Sequence, residues 1–475
     1  MGKRVSERFD VVVIGSGPGG EGAAMKAAKS GKSVAVVELH REVGGGCTHW
    51  TTIPSKVLRE AVWRLYEFRG LPLFQDAASK VELAFADLVA SATSVIEKQV
   101  RMRRAFYDRN GVTLRKGRAR LLSRSEVEVL EPSGSMRRLE AGAVVVAAGS
   151  RPYHPPDVDF SHPRVLDSHN VLGLKATPRS IIIYGAGVAG CEYASIFRGL
   201  GSKVSLVNTR SRLLSFLDDE ISDAVSYHLR DQGVVIRHDE EFGRLETEEA
   251  GVRLHLKSGK TLSGEYLLWV NGRTGNTDGL GLEALGVALD SRGCVKVDAD
   301  FLTGAPGVYA VGDAVGDPPL ASAAYDQGRA AAAHIAGEPS RGRFLAHLVP
   351  TGIYTIPEIS SVGETEAELT RRKVPYEVGQ SFFRDLSRAQ IAGWPVGMLK
   401  LLFHRDTLAV LGVHCFGYQA AEIVHIGQLV LSQEGAGNSI MRFADNTFNY
   451  PTMAEAYRVA ALNGLNRLRG VYPKT

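Results

Sequence analysis

The sequence predicts an α/β protein built from two copies of one strand–glycine turn–helix–strand unit, followed by a separate α+β domain. Three observations carry this. A GxGxxG pattern follows a short apolar run at Gly15, Gly17 and Gly20, and again at Gly185, Gly187 and Gly190. Each pattern leads into a small-residue helical stretch and then a second apolar run. Beyond about residue 345 the glycine pattern stops, and strand-like and helix-like stretches alternate without it. At 475 residues the chain is about three times the ~150-residue domain size, so one compact domain is not expected. With 44% hydrophobic and 23% charged residues, the composition excludes a disordered chain.

The first 15 residues hold no apolar stretch long enough for a secretory signal. Met1-Gly2 is a weak match to an N-myristoylation signal, and the first strand begins almost at once. No run of 18 apolar residues occurs, so no membrane span is expected. The four cysteines, Cys47, Cys191, Cys294 and Cys415, are too few and too far apart for a disulfide scaffold. None is spaced as CxxC, so no metal site is predicted, and a reducing cytoplasmic setting is. The net charge of +4 says little about partners, and the basic cluster Arg101, Arg103 and Arg104 reads as a solvated helix face rather than a nucleic-acid site.

Residues 9–15 read as a fully apolar strand and 34–37 as its neighbour, with Ala23, Ala24, Ala27 and Ala28 on a helix that can lie close to a sheet. Gly15 serves a tight turn, Gly17 the close approach of a pyrophosphate and Gly20 helix–strand packing. The helix N-terminus supplies free N–H groups and the positive dipole end. Glu38, 18 positions beyond Gly20, ends the second strand where a carboxylate accepts the hydroxyls of an adenosine ribose. This unit is predicted to bind a dinucleotide.

The second copy runs from a strand at 180–184 through a helix at 191–200 to a strand at 204–207. Where the first copy has Glu38 it has Asn208, with Arg210 and Arg212 close behind. A carboxylate there would repel a 2′-phosphate; asparagine does not, and an arginine can pair with one. The site is therefore expected to accept both NAD(H) and NADP(H). The other reading is that Arg210 and Arg212 only decorate a loop.

Two more segments suit an enzyme with a flavin and a nicotinamide site. Residues 144–152 read as an apolar strand ending in small residues around Gly149, at a crossover between nucleotide domains. Residues 308–316 read as a strand ending at Gly312-Asp313, where the acid can hold a polyol such as a ribityl chain. From near Pro350, strand-like stretches (374–378, 398–403, 409–416) alternate with helical ones (420–434, 454–468). That α+β domain has no nucleotide motif and is expected to cover a sheet or form an interface.

In order, the first GxGxxG, GGGCTHWTTIPSK (44–56), AAGSRP, the second GxGxxG, NGRTGN (271–276), YAVGD and NYPTMAE (449–455) resemble the flavoprotein disulfide reductases over nearly the whole chain. The resemblance implies FAD in the first site, a nicotinamide nucleotide in the second with Gly272 beside it, and a C-terminal dimerisation domain forming a homodimer or higher oligomer. It divides the chain into an FAD-binding part (1–152), an NAD(P)-binding domain (153–273), a returning FAD part (274–345) and the dimerisation domain (346–475). Lys56 matches the family lysine near the flavin, and Glu192 matches the acid that pairs with it. Glu192 could otherwise cap its helix, and Lys56 could be an ordinary surface lysine.

Two departures matter. The family places a second cysteine five positions after the first; here Cys47 is followed at that spacing by Thr52, which cannot form a disulfide. The family histidine before the C-terminal proline is replaced by Tyr450, although Glu455 is kept. Losing both parts of thiol exchange points to a different electron acceptor. The CTHW…TIPSK and FNYPTMAEAYR segments are most similar to members that move a hydride between NADPH and NAD+ by way of FAD. That implies a ping-pong transfer through the flavin at one nicotinamide site. A diaphorase or quinone reductase, and a catalytically silent flavin or NAD(P) redox sensor, are the alternatives. Cys47 reads either as a thiol activated by a helix end and the flavin or as a packing residue, whereas Cys191, Cys294 and Cys415 read as structural. His49 and Trp50 read as packing residues or as rings near the flavin.

Overall fold

A computed structural model describes residues 6–78, 80–81, 83–338 and 348–470. The Met1-Gly2 signal and the domain border expected at 345/346 lie outside these residues. The chain divides into two compact units, one of residues 1–57, 89–154 and 272–345, the other of residues 58–88, 155–271 and 346–475.

In the first unit a parallel sheet runs Thr113–Lys116, Val34–Glu38, Ser6–Ile14, Met136–Val146, with Val308–Ala310 also parallel to Met136–Val146. Val11 to Val13, Ala35, Val36 and Val144 to Val146 are fully buried. Burial on both faces explains why residues 11–14, 34–37 and 143–146 read as unbroken apolar runs instead of alternating ones. Helices Pro18–Lys29 and Ala321–Ile335 pack closely through Ala23, Ala24, Ala27, Ala331 and Ala332. A Cβ on Gly328 would overlap the Gly19 carbonyl, so the small-residue pattern is a packing requirement.

Residues 144–152, expected as one strand, are two. The chain leaves the sheet at Val146, Gly149 turns at φ 71°, and Ser150–Pro152 pairs antiparallel with Arg273–Gly275. An antiparallel hairpin, Arg118–Ser123 with Glu126–Leu130, extends the sheet where the sequence suggested no strand. The basic cluster is also split. Arg101 and Arg104 are exposed on helix Phe85–Arg109, but Arg103 is buried, correcting its reading as a solvated residue. Its guanidinium is enclosed because it pairs with a buried acid, Glu21.

In the second unit a five-stranded parallel sheet runs Val235–Arg237, Lys203–Val207, Ser180–Tyr184, Tyr266–Trp269, Val165–Asp167. Helix Val188–Gly199 follows the second glycine turn. Three short antiparallel strands, Phe242–Glu248, Gly251–Leu256 and Thr261–Gly264, form a separate sheet that sequence periodicity did not separate from loop. The C-terminal part is an antiparallel sheet ordered Thr351–Ile353, Glu358–Gly363, Val410–Gly417, Gly397–His404, Tyr376–Phe382. Helices Ala420–Leu431 and Glu455–Leu468 contribute Val424, Tyr457 and Ala460 to its core beside Leu401, Phe403 and Val413.

An ion cluster lies within this unit. The Lys400 side chain is fully buried, with Nζ 2.8 Å from Asp218 Oδ1, 2.6 Å from Glu220 Oε2 and in contact with Glu366. Burial alone would lower its pKa; hydrogen bonds to the three carboxylates outweigh that and raise it. Asp218 also caps helix Asp219–Asp231, accepting the Glu220 N–H at 3.2 Å.

Candidate functional site

The first glycine turn is built by steric exclusion. Gly15 has φ 103°, and a Cβ there would overlap the Ala147 carbonyl; one on Gly20 would overlap the Gly15 carbonyl. Gly17 differs: the nearest atom to an added Cβ is Gly45 Cα at 3.8 Å. Two glycines therefore close the turn and the middle one leaves room at the N-terminus of helix Pro18–Lys29, where unpaired N–H groups can meet a phosphate. Glu38 is buried at the end of its strand. Its Oε2 accepts the Ser16 N–H (2.9 Å) and hydroxyl, and its Oε1 accepts the His40 N–H (2.8 Å). Ser16 Oγ in turn accepts the Gly44 N–H at 2.9 Å. Glu38 thus first holds the turn together, and its Oε1 keeps a lone pair for a ribose hydroxyl. A cavity of about 250 Å3 lies beside it, lined among others by His40, Val43, Leu114 and Lys116.

The segment between turn and helix carries Cys47. It lies in a one-turn helix, Gly45–His49, ahead of helix Thr52–Gly70. Burial pushes the Cys47 thiol up, and the Thr52 hydrogen bond and the charges of Arg103 and Lys56 only partly offset it. Thr48 Oγ1 in the same turn is buried with no hydrogen-bond partner among the described residues, a donor free for a bound polar ligand. His49 Nε2 lies 2.9 Å from the Val43 carbonyl oxygen, and Trp50 packs edge-on against His40 at 4.5 Å between centroids, which favours the packing reading of both rings. Lys56 is half-buried, and its Nζ donates to Ser55 Oγ at 3.3 Å.

Asp313 sits in the 3-10 turn Gly312–Ala314 that ends strand Val308–Ala310. Its Oδ2 accepts the Ser150 hydroxyl at 2.7 Å and lies 3.9 Å from Arg273 Nε. The carboxylate is oriented yet one-third exposed, as a polyol ligand requires. Gly149 accepts the Asn276 N–H (3.0 Å), and Gly272, at φ 101°, accepts the Tyr153 N–H (3.1 Å). The open middle glycine, the lone pair on Glu38, the unpartnered Thr48 hydroxyl and the ordered Asp313 fit a flavin dinucleotide.

The second turn repeats the geometry. Added Cβ atoms on Gly185 and Gly190 meet Asn271 and the Gly185 carbonyl, while one on Gly187 meets nothing within 4 Å. Asn208 is buried and occupied: its Nδ2 donates to the carbonyls of Arg210 and Arg212, both at 2.8 Å, and lies 3.0 Å from His238 Nδ1. It shapes the loop and has no free donor for a nucleotide. The arginines divide. Arg212 pairs with Asp219 and, at 3.5 Å, with Asp223. Arg210 is exposed, and its Nη1 donates only to Ser215 Oγ (2.7 Å) among the described residues.

Glu192 is the fifth residue of helix Val188–Gly199 and is buried. It does not cap that helix: its Oε1 accepts the Tyr354 N–H at 2.9 Å. Burial pushes the thiols of Cys191 (to about 12), Cys415 and Cys294 up, as structural cysteines require. Tyr450 is exposed, its hydroxyl 2.6 Å from Ser387 Oγ, and Glu455 opens helix Glu455–Leu468. The contributions of Ser16 and Thr48 had no sequence signal, because Ser16 depends on partners more than 20 residues away and Thr48 on burial.

Residues 9–328 match the pyridine nucleotide-disulphide oxidoreductase family and residues 349–461 match its dimerisation domain, so the chain belongs to that family. Within it, the chain is 58% identical over 463 residues, 97% of its length and 98% of the relative's, to the soluble pyridine nucleotide transhydrogenase of Shigella flexneri, and equally to that of Escherichia coli strain K12. Among solved structures it resembles LpdA from Mycobacterium tuberculosis (26% identity, TM-score 0.89) and the Cu(II) complex of the HOCl-induced flavoprotein disulfide reductase RclA from Escherichia coli (25%, TM-score 0.87). Both matches cover 96% of this chain and 99% of the other. No helix among the described residues is long and apolar enough to cross a membrane.

Proposed function

We propose that this chain is an FAD-dependent enzyme that transfers a hydride between NADPH and NAD+, the two nucleotides using the second glycine turn in succession. The observation that carries the reading is the pair Cys47 and Thr52. A hydroxyl stands where a second thiol would be, so no dithiol is present to receive electrons. FAD, when bound, supplies the two-electron carrier.

The chain's own residues bind, orient and hold charge. The open face of Gly17 and the helix N-terminus would hold the flavin pyrophosphate, Glu38 the adenosine ribose, and Asp313 the polyol, its carboxylate fixed by Ser150. Lys56 would place a cation by the flavin ring, and the Glu192 carboxylate is held by the Tyr354 N–H. At the second turn Gly185, Gly187 and Gly190 would receive the nicotinamide nucleotide. Asn208 shapes the loop, and Arg210, with no carboxylate partner among the described residues, would meet the 2′-phosphate of NADP(H). The missing acid leaves NAD(H) acceptable as well. Arg212, engaged by Asp219 and Asp223, would contribute less.

The names of the full-length relatives support this reading and do not favour a diaphorase or a silent sensor. The partition into 1–152 and 274–345 for FAD, 153–273 for NAD(P) and 346–475 for dimerisation accompanies it. So does a homodimer, supported by the dimerisation-domain match, and a cytoplasmic location, supported by four unpaired thiols. The test is to mix purified holoenzyme with NADPH and thio-NAD+ in the absence of any disulfide or thiol. Reduction of thio-NAD+ is expected. Bound FAD without exchange refutes the reading, and fast quinone turnover with negligible exchange replaces it with a diaphorase.

A further inference from the structure

Helix Pro18–Lys29 starts where the first glycine turn ends, and its N-terminus is where a pyrophosphate dianion would be held. Its fourth residue is Glu21, a buried carboxylate with 7% exposure. Nothing in phosphate binding calls for an acid there. Like charges weaken one another, and the low dielectric of a buried site sharpens the effect.

The compensation comes from helix Phe85–Arg109. Arg103 Nε lies 3.0 Å from Glu21 Oε2, and both side chains are more than nine-tenths buried. The Tyr325 hydroxyl donates to the same oxygen at 2.9 Å, and Arg103 Nη1 reaches Gln99 Oε1 at 2.5 Å. Burial, then the Glu21 charge, push the Tyr325 phenol up to about 12, so it supplies a hydrogen bond and no charge. The buried Tyr107 hydroxyl, raised chiefly by burial, feels both Glu21 and Glu38, so the two carboxylates act on one interior region around the turn. The Arg103 charge is also felt at Cys47, where it opposes the upward push of burial.

We propose that Arg103 is a positioning residue for the FAD pyrophosphate: its buried guanidinium cancels the Glu21 carboxylate near the foot of helix Pro18–Lys29, so the helix N-terminus keeps the positive field the dianion needs. This rests on FAD occupying the first glycine turn.

The experiment measures the rate of FAD release from holoenzyme on dilution, read by the rise in flavin fluorescence, with a thermal melt of each variant alongside. Arg103→Met is expected to release FAD roughly tenfold faster, or more, because it leaves the acid uncompensated. Arg103→Lys keeps the charge and stays within about threefold of the parent. Glu21→Gln releases FAD no faster than the parent, and the double variant Glu21→Gln/Arg103→Met regains most of the lost retention. A pair that serves only to brace the helices gives the opposite pattern, with Glu21→Gln as damaging as Arg103→Met and the double variant no better than either. That pattern overturns the proposal. If Arg103→Met does not fold, Glu21→Gln and Arg103→Lys decide, and tenfold faster release from either one overturns it. A parent protein that binds no FAD would instead refute the functional reading beneath it.

Discussion

Replacing Arg210 by alanine separates the two nicotinamide nucleotides. Arg210 is exposed and spends one N–H on Ser215 Oγ at 2.7 Å, which leaves the rest of its guanidinium free to form a charge-assisted bond with a 2′-phosphate. Hydrogen bonds to charged groups are worth about 1.5–3 kcal/mol, and solvent exposure brings this site to the lower end. At about 1.4 kcal/mol per factor of ten, kcat/KM for NADPH should fall roughly tenfold. NADH has no 2′-phosphate, so its kcat/KM should change less than about twofold. Arg212→Ala should cost NADPH less than Arg210→Ala, because Asp219 and Asp223 already hold that guanidinium. The assay is stopped-flow flavin reduction by NADPH and by NADH as a function of concentration. Equal losses for the two nucleotides, or a larger loss in Arg212→Ala, would refute the reasoning.

Three further outcomes are expected. Cys47→Ser should keep NADPH to thio-NAD+ exchange within about threefold, since Thr52 leaves the thiol no disulfide partner and burial pushes its pKa up; a tenfold loss would return the thiol to the chemistry. Lys400→Met should destabilise the holoenzyme by about 3 kcal/mol in urea unfolding, because Asp218 remains buried and charged; a loss below about 1 kcal/mol would mean the cluster is solvated. His414 is enclosed between Ser361 Oγ (2.6 Å) and the Glu364 carbonyl (3.0 Å), faced also by Asp218, Lys400 and Glu368, and burial holds its pKa below 6.5. A folded value below the unfolded one gives stability that is present above about pH 6.5 and lost as pH falls toward the folded value; His414→Gln should flatten that limb of a melting-temperature profile, and an unchanged slope would assign it to other groups.

The parts that sequence made legible are those whose physics is local. The glycines at 15 and 20 and at 185 and 190 announce turns because sterics at neighbouring backbone atoms demand them, and residues 181–184 and 206–207 are apolar because they are covered. The replacement of a second cysteine by Thr52 was equally plain. The hairpin of Arg118–Ser123 and Glu126–Leu130 and the three-stranded sheet of 242–264 were not legible, since short alternating strands differ from loops only by the partners they find. Arg103 illustrates the same limit: between two exposed arginines, nothing but the approach of Glu21 distinguishes it.

The sequence by itself determined the two glycine turns, the asparagine at 208 where the first copy has Glu38, and the lack of a second cysteine at position 52, because each depends on residue identity at fixed spacing. Tertiary structure alone decided that Asn208 is consumed in shaping its loop, that Arg210 and not Arg212 lacks a carboxylate partner among the described residues, and that the Cys47 thiol is raised by burial. Those facts depend on which distant side chain arrives at a given group and how much water is left around it. Both are settled by packing, and neither is encoded in the spacing of a motif.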